Sequence, residues 1–196
     1  MRETLRMLVV LTLICGVSGY SLATLKKATR QRIESQVLTY VQGPALLGVL
    51  TQRDNDPIAD RKPFALDDSE ILVFPAFDQG KLTGIAFEAF APGYSGDIGL
   101  MVGFDPATDK LVGIGVTTQT ETPGIGTRIL EKSFTSQFKN HGLKKLDVRS
   151  KDGDLDGVTG ATYSTTGVMA AVQKAAKLYT RLKPEIIKTW PQGDAS

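Results

Sequence analysis

The chain is poor in the residues that build metal and thiol chemistry. Its one cysteine, Cys15, lies in an apolar run, so no intramolecular disulfide forms and the polar part of the chain has no thiol ligand or nucleophile. Its one histidine, His141, stands alone in a polar stretch, where a surface position is the default reading. These absences exclude zinc-finger spacing, cysteine-ligated iron–sulfur clusters and the multi-histidine sites of copper, non-haem iron or catalytic zinc. Redox chemistry here would need an organic cofactor. Charge of one sign is missing too: 23 Lys and Arg face 21 Asp and Glu, a net charge of +2. That balance gives neither a nucleic-acid footprint nor a disordered acidic tail, so nucleic acid is not an expected partner. A length of 196 residues corresponds to about one domain.

One long hydrophobic run is present. Met7 to Leu25 carries no charge, and its 19 residues, rising ~1.5 Å each as a helix, would just cross a hydrocarbon core of about 30 Å. It reads as a single-span anchor in a lipid bilayer. Ser21-Leu22-Ala23 also offers the small-x-small pattern of a signal-peptidase site, so cleavage is the alternative. Arg2 and Arg6 compete with Lys26, Lys27, Arg30 and Arg32 across the span, and charge alone does not set the orientation.

Apolar Ile33, Val37 and Tyr40 recur by four and three, predicting an amphipathic helix over Lys26–Tyr40 that Gln42-Gly43-Pro44 ends. Thr51 to Asp68, charged and carrying two prolines, reads as a surface loop. Ile71–Phe77 and Lys81–Phe90 alternate as strands around a Gln79-Gly80 turn, and Ile98–Phe104 and Leu111–Thr118 form a second strand pair. A helix is expected near Thr127 and irregular chain over Asn140–Ser150. Val168, Val172, Ala175, Tyr179 and Leu182 mark the buried face of a last helix. Strands in hairpins with helices at the chain ends predict an α+β fold, an antiparallel sheet flanked by helices. The expected organisation is an anchor over 1–25, a helix and linker over 26–70, and one domain over 71–196. Phe87, Phe90, Tyr94 and Phe104 are expected in the core by default, with a place beside a bound cofactor's ring the alternative for one of them, and Trp190 is expected to seal the last helix onto the domain.

Three stretches have the composition of sites. Asp152, Asp154 and Asp156 followed by Gly157 imitate the first half of a calcium loop, but position twelve would be Tyr163, so a solvated turn is the simpler reading and no metal is expected. Asp156-Gly157-Val158-Thr159-Gly160-Ala161-Thr162 leads into the last helix, whose free N–H groups and dipole favour a phosphate. Alternatively, Thr165 or Thr166 is an ordinary N-cap and Gly160 makes a turn. The residues alone leave both readings open. Glu121-Thr122-Pro123-Gly124-Ile125-Gly126 follows a strand and permits close backbone approach, yet lacks the endings of the known phosphate and dinucleotide loops.

Together these stretches resemble a known family. Asp156-x-x-Thr159-Gly160-Ala161-Thr162 is similar to the D-x-x-S/T-G-A-T signature of FMN-binding domains that a flavin transferase loads covalently, and Glu121 to Gly126 resembles their E-T-P-G-x-G stretch. Gly93-Tyr94-Ser95-Gly96-Asp97-Ile98 is similar to their G-Y-x-G-x-I loop, with Asp97 where proline is commoner. The length, the anchor and Asp54-Asn55-Asp56 point to the G subunit of the Rnf ion-translocating electron-transport complex, which is similar to the C subunit of sodium-translocating NADH:quinone reductase.

The resemblance implies a covalent FMN joined to the Thr162 oxygen as a phosphoester, with Ser164 the rival acceptor. It implies that Thr159, Gly160 and Ala161 shape the turn and that Asp156 is read by the flavin transferase, which uses FAD and Mg²⁺. Glu121, Thr122, Gly124 and Gly126 would lie near the isoalloxazine or ribityl chain. The chain would carry electrons as part of an oxidoreductase complex between ferredoxin and NAD, with no catalytic residue of its own. It would sit among other membrane subunits, single-pass in the bacterial inner membrane, its domain on the periplasmic side. The rivals are a membrane-anchored FMN domain with a sensory or regulatory role, a non-redox envelope binding module, and a hydrolase using Ser95, Ser164 or the aspartate cluster.

Overall fold

The computed structural model describes residues 2–66 and 69–190. The end of the expected 51–68 loop and the stretch beyond Trp190 lie outside the described residues. The chain divides into two compact units, Met1–Tyr40 and Val41–Ser196. The first is built on one helix, α1 (Arg2–Val37), followed by a π-helical turn over Leu38–Gln42. Within α1, Arg2–Arg30 is long and apolar enough to cross a membrane by length and composition, and none of it is buried. The residues of the expected stripe, Ile33, Val37 and Tyr40, are all exposed. Gly43-Pro44 does not end the helical path as expected. It starts α2 (Gly43–Val49), with Pro44 in the first turn, where a missing N–H costs nothing.

The second unit holds an antiparallel meander in the order β1-β2-β3-β4-β5. Its strands are β1 (Lys62–Leu66), β2 (Ser69–Asp78), β3 (Lys81–Pro92), β4 (Asp97–Asp105) and β5 (Lys110–Thr118). Gln79 and Gly80, with φ of 52° and 74°, make the β2–β3 turn in the left-handed conformation that tight hairpins need. β1 corrects the expected loop: Phe64 points inward against Trp190 at 5.4 Å between ring centres, and its pairing with β2 outweighs the local polarity. Pro63 is tolerated because β1 is an edge strand.

After β5 come a 3₁₀ turn (Gly126–Leu130), the short α3 (Lys132–Thr135) and further irregular chain, where a helix starting near Thr127 was expected. The last helix, α4 (Thr162–Thr189), lies on β3 and β4. Its residues Val168, Val172, Ala175, Tyr179 and Leu182 are buried against Ile85, Phe87, Leu100, Val102 and Phe104. Phe104 stacks on Phe87 at 5.4 Å and on Tyr179 at 4.5 Å, two ring pairs worth about 0.5–1.5 kcal/mol each beyond their burial. The opposite sheet face takes α2, and Gly115 permits it: a Cβ there would lie 3.0 Å from Ala45 Cβ. Alternation thus buries both faces of β3 and β4 and leaves the loops at one end free to build a site.

Candidate functional site

The three glycine-bearing stretches meet at one cleft of about 360 Å³. Glu121, Thr122, Gly126, Gly160, Ala161 and Thr162 line it, joined by Tyr94, Ile125, Tyr163 and Ser164. Gly124, Asp156 and Thr159 belong to the same stretches but do not line the cleft.

Glu121 organises these walls. It is buried, 4% exposed, and its Oε1 accepts the backbone N–H groups of Tyr94 at 3.0 Å and Ser95 at 3.1 Å. Its Oε2 accepts the Ser164 hydroxyl. Glycine is required beside it: a Cβ on Gly93 would fall 2.6 Å from Oε1, and one on Gly126 would fall 2.8 Å from the Glu121 Cβ. Gly93 N–H donates to the Gly96 carbonyl at 2.8 Å, closing the first loop. In the second, the Thr122 carbonyl accepts from Gly126 at 2.9 Å, and Gly124, at φ +75°, donates its N–H to Thr127 Oγ1.

The third stretch is a turn followed by a bare helix end. Ala161 N–H donates to Val158 O at 3.0 Å across Gly160, whose φ of +82° is the conformation glycine supplies there. Asp156 is exposed; it bonds Arg149 at 2.7 Å, and its backbone exchanges two hydrogen bonds with the Gln137 amide. The Thr159 carbonyl accepts from Arg128 at 3.4 Å. α4 begins at Thr162, earlier than either expected cap. Thr165 lies in its first turn, buried, accepting the Val158 N–H at 3.0 Å, so it does not cap the helix. The N-cap is Ala161, which makes no side-chain cap hydrogen bond. A side-chain cap typically contributes about 1 kcal/mol. Its omission leaves the start of the helix uncapped where Thr162, Tyr163 and Ser164 line the cleft and Thr162 is exposed, an arrangement that suits an anion.

The two hydroxyls near this end differ sharply. Ser164 is 2% exposed and committed to Glu121, whereas Thr162 is exposed at the cleft. Sequence reasoning favoured Thr162 only through the family resemblance and had no physical ground to separate the two, because the partner of Ser164 is 43 residues away. It also missed Tyr163, 71% exposed, whose ring lies 5.9 Å from that of Tyr94. The core assignment of Tyr94 and Phe90 is corrected. They are 68% and 44% exposed, Tyr94 because its loop is tied to Glu121 by the backbone and turns the ring outward. Phe87, Phe104 and Trp190 are buried as expected. His141 bonds the Gly142 carbonyl at the surface, outside the cleft. Among the described residues no group of three or more His, Cys, Asp or Glu side chains is placed to hold a metal ion.

A cleft near the lower end of the ~300–1,000 Å³ typical of ligand pockets, with an uncapped helix end and two exposed aromatic rings, fits a phosphate-bearing planar ligand held partly in solvent. Residues 93–177 match the family model of the FMN-binding domain, the class that this fold and cleft define. The G subunit of the ion-translocating oxidoreductase complex of Shewanella oneidensis is 34% identical over 164 residues, covering 74% of this chain and 77% of that protein. The corresponding G subunit of Cereibacter sphaeroides (strain ATH 2.4.9) is 29% identical, covering 93% and 87%. The chain belongs to this family, the G subunits of ion-translocating oxidoreductase complexes. Its fold is shared with the crystal structure of the C subunit of the Na⁺-translocating NADH-quinone reductase of Parabacteroides distasonis, with a TM-score of 0.53 and 20% identity over 66% of this chain and 71% of that one.

Proposed function

We propose that the chain is the membrane-anchored FMN carrier of an Rnf-type ion-translocating complex, with FMN joined to Thr162 as a phosphoester. The observation that carries this reading is the bare N-terminus of α4: an exposed Thr162 hydroxyl beside uncapped N–H groups, while Ser164 is buried and already donating. In the attachment step the Thr162 Oγ bonds to the FMN phosphorus of FAD and the FAD diphosphate P–O bond breaks. AMP leaves, and the hydroxyl proton passes to the solvent or to a base of the transferase. The helix end and the turn at Gly160 would hold the resulting phosphate, and Asp156, exposed and ion-paired with Arg149, would be what the transferase reads. Bound FMN supplies one- and two-electron transfer; the chain supplies its position and surroundings.

The apolar helix α1 supports a single-pass anchor that holds the carrier beside the complex's other membrane subunits. In this reading the anchor lies in the inner membrane and the domain on the periplasmic side. A covalent link suits such a partly open cleft, because the cofactor cannot diffuse away. The test is co-expression with a flavin transferase, followed by intact mass and in-gel flavin fluorescence, in parallel with Thr162→Ala and Ser164→Ala. One FMN on the wild type and none on Thr162→Ala is the expected result. Undiminished FMN on Thr162→Ala would move the acceptor elsewhere, and no FMN on any chain beside an active transferase would end the carrier reading.

A further inference from the structure

We infer that Glu121 is a positioning residue for flavin attachment: it acts on Thr162 through Ser164 and the Gly93–Gly96 turn, by holding the start of α4 in place. This rests on the attachment reading above.

A carboxylate has about four acceptor sites, and the chain's own donors take three of those on Glu121. Two are backbone N–H groups of one cleft wall, and the third is the hydroxyl of the residue two places beyond the acceptor. Tyr94 and Ser95 lie 27 and 26 residues before Glu121, and Ser164 lies 43 after it, so this one side chain ties together parts of the fold that no local structure joins. The glycines fit a chain built around it, for a Cβ at Gly93 would be 2.6 Å from Oε1 and one at Gly126 would be 3.0 Å from Oε2. Ser164 and Thr162 share the first turn of α4, so fixing the one fixes the backbone of the other. With Ala161 supplying no cap, side chains within the turn hold it: Thr165 accepts the Val158 N–H from the adjoining turn, and Ser164, through Glu121, ties it to the opposite cleft wall.

The expected consequences are specific to hydrogen bonding. Glu121→Ala leaves two N–H groups and one hydroxyl without their acceptor. Glu121→Gln retains the shape: its amide oxygen can accept from Tyr94 and Ser95, and its NH₂ can donate to a rotated Ser164 hydroxyl. Ser164→Ala removes only the tie to α4. The experiment uses the full chain in detergent with a flavin transferase, FAD and Mg²⁺, and reads FMN loading by mass against FAD concentration. A second arm measures backbone amide exchange of the flavin-free chain, with thermal unfolding as the check on folding.

Loading by Glu121→Ala and by Ser164→Ala should fall about tenfold or more in maximal rate with the FAD dependence unchanged, and Glu121→Gln should recover most of it. The Tyr94 and Ser95 amides should exchange about tenfold faster in Glu121→Ala and at the wild-type rate in Ser164→Ala. Wild-type loading by a folded Ser164→Ala chain would overturn the proposal. So would Glu121→Gln loading as slowly as Glu121→Ala with its amides protected, which would assign the effect to the carboxylate's charge. If the wild type gained no FMN, the attachment reading would fall and this proposal with it; the flavin-free exchange arm distinguishes that result from a clamp that does not exist.

Discussion

Gly167 sits in α4 where the helix passes Pro92 and Gly93 at the end of β3, and its replacement by alanine sets two effects of opposite sign against each other. In an open helix, Gly→Ala stabilises by up to about 1 kcal/mol through backbone entropy. At Gly167 a Cβ would lie 2.7 Å from the Pro92 carbonyl oxygen, 3.1 Å from Gly93 Cα and 3.1 Å from Ile98 Cδ1. Two of those three neighbours are backbone atoms of a sheet end, which cannot swing aside as a side-chain tip can, so the overpacking cost belongs in the upper part of the ~1–3 kcal/mol range. The net loss is about 1–2 kcal/mol. For a unit of this size that lowers Tm by roughly 2–8 °C. Gly48→Ala in α2, where a Cβ meets nothing within 4 Å, is the control and should hold or raise Tm. The assay is thermal unfolding of the full chain in detergent, followed by the fluorescence of the buried Trp190. If Gly167→Ala stabilised the chain as Gly48→Ala does, the close approach of α4 to the 92–93 turn would be refuted.

Lys183 and then Tyr179 hydrogen-bond Asp109 and hold its carboxyl below the usual range; burial first, then Asp109, pushes the Tyr179 phenol up. A depressed carboxyl stabilises above the ordinary carboxylate range and loses that contribution as pH falls, whereas a raised phenol stabilises below about pH 10 and loses it above. The Tm gap between wild type and Asp109→Asn should therefore narrow between about pH 5 and pH 2, and a constant gap would contradict this. At the cleft mouth, Tyr94→Leu and Tyr163→Leu should brighten the fluorescence of the loaded flavin by removing exposed phenols beside it, and unchanged emission from both would place the flavin away from that rim. Gly160→Val forces a branched side chain into a turn at φ +82° and should reduce FMN loading while leaving Tm within a few degrees; normal loading would mean that the turn geometry is unimportant for attachment.

The sheet was legible from β2 to β5 because each strand is a short run rich in apolar residues bounded by turn residues, and Gln79-Gly80 marks a hairpin. β1 was not, since its five residues are an edge strand held by one buried phenylalanine, and its charged surroundings read as loop. Gly43-Pro44 looked like a stop because local chemistry does not say whether proline ends one helix or begins the next. At the site, the motif residues were legible as sequence, but their roles came from distant partners. By residue type the hydroxyls of Ser164 and Thr162 are alike; the resemblance favoured Thr162, but the physical difference is that Glu121 takes Ser164. Ala161, a poor cap by composition, gives no local mark of the helix start, which is why the N-cap was expected four or five residues later. Tyr94 lies beside a strand and has the composition of core, yet its backbone is pinned and its ring faces out.

The central claim is that FMN is carried on the Thr162 oxygen. Fragmentation mass spectrometry of a protease digest of the flavin-loaded chain tests it most directly, by locating the residue that carries the added flavin phosphate. The account predicts the modification on Thr162, with Thr159, Ser164, Thr165 and Thr166 unmodified. FMN mapped to any of those four, or a chain that binds flavin yet releases all of it on denaturation, would contradict it.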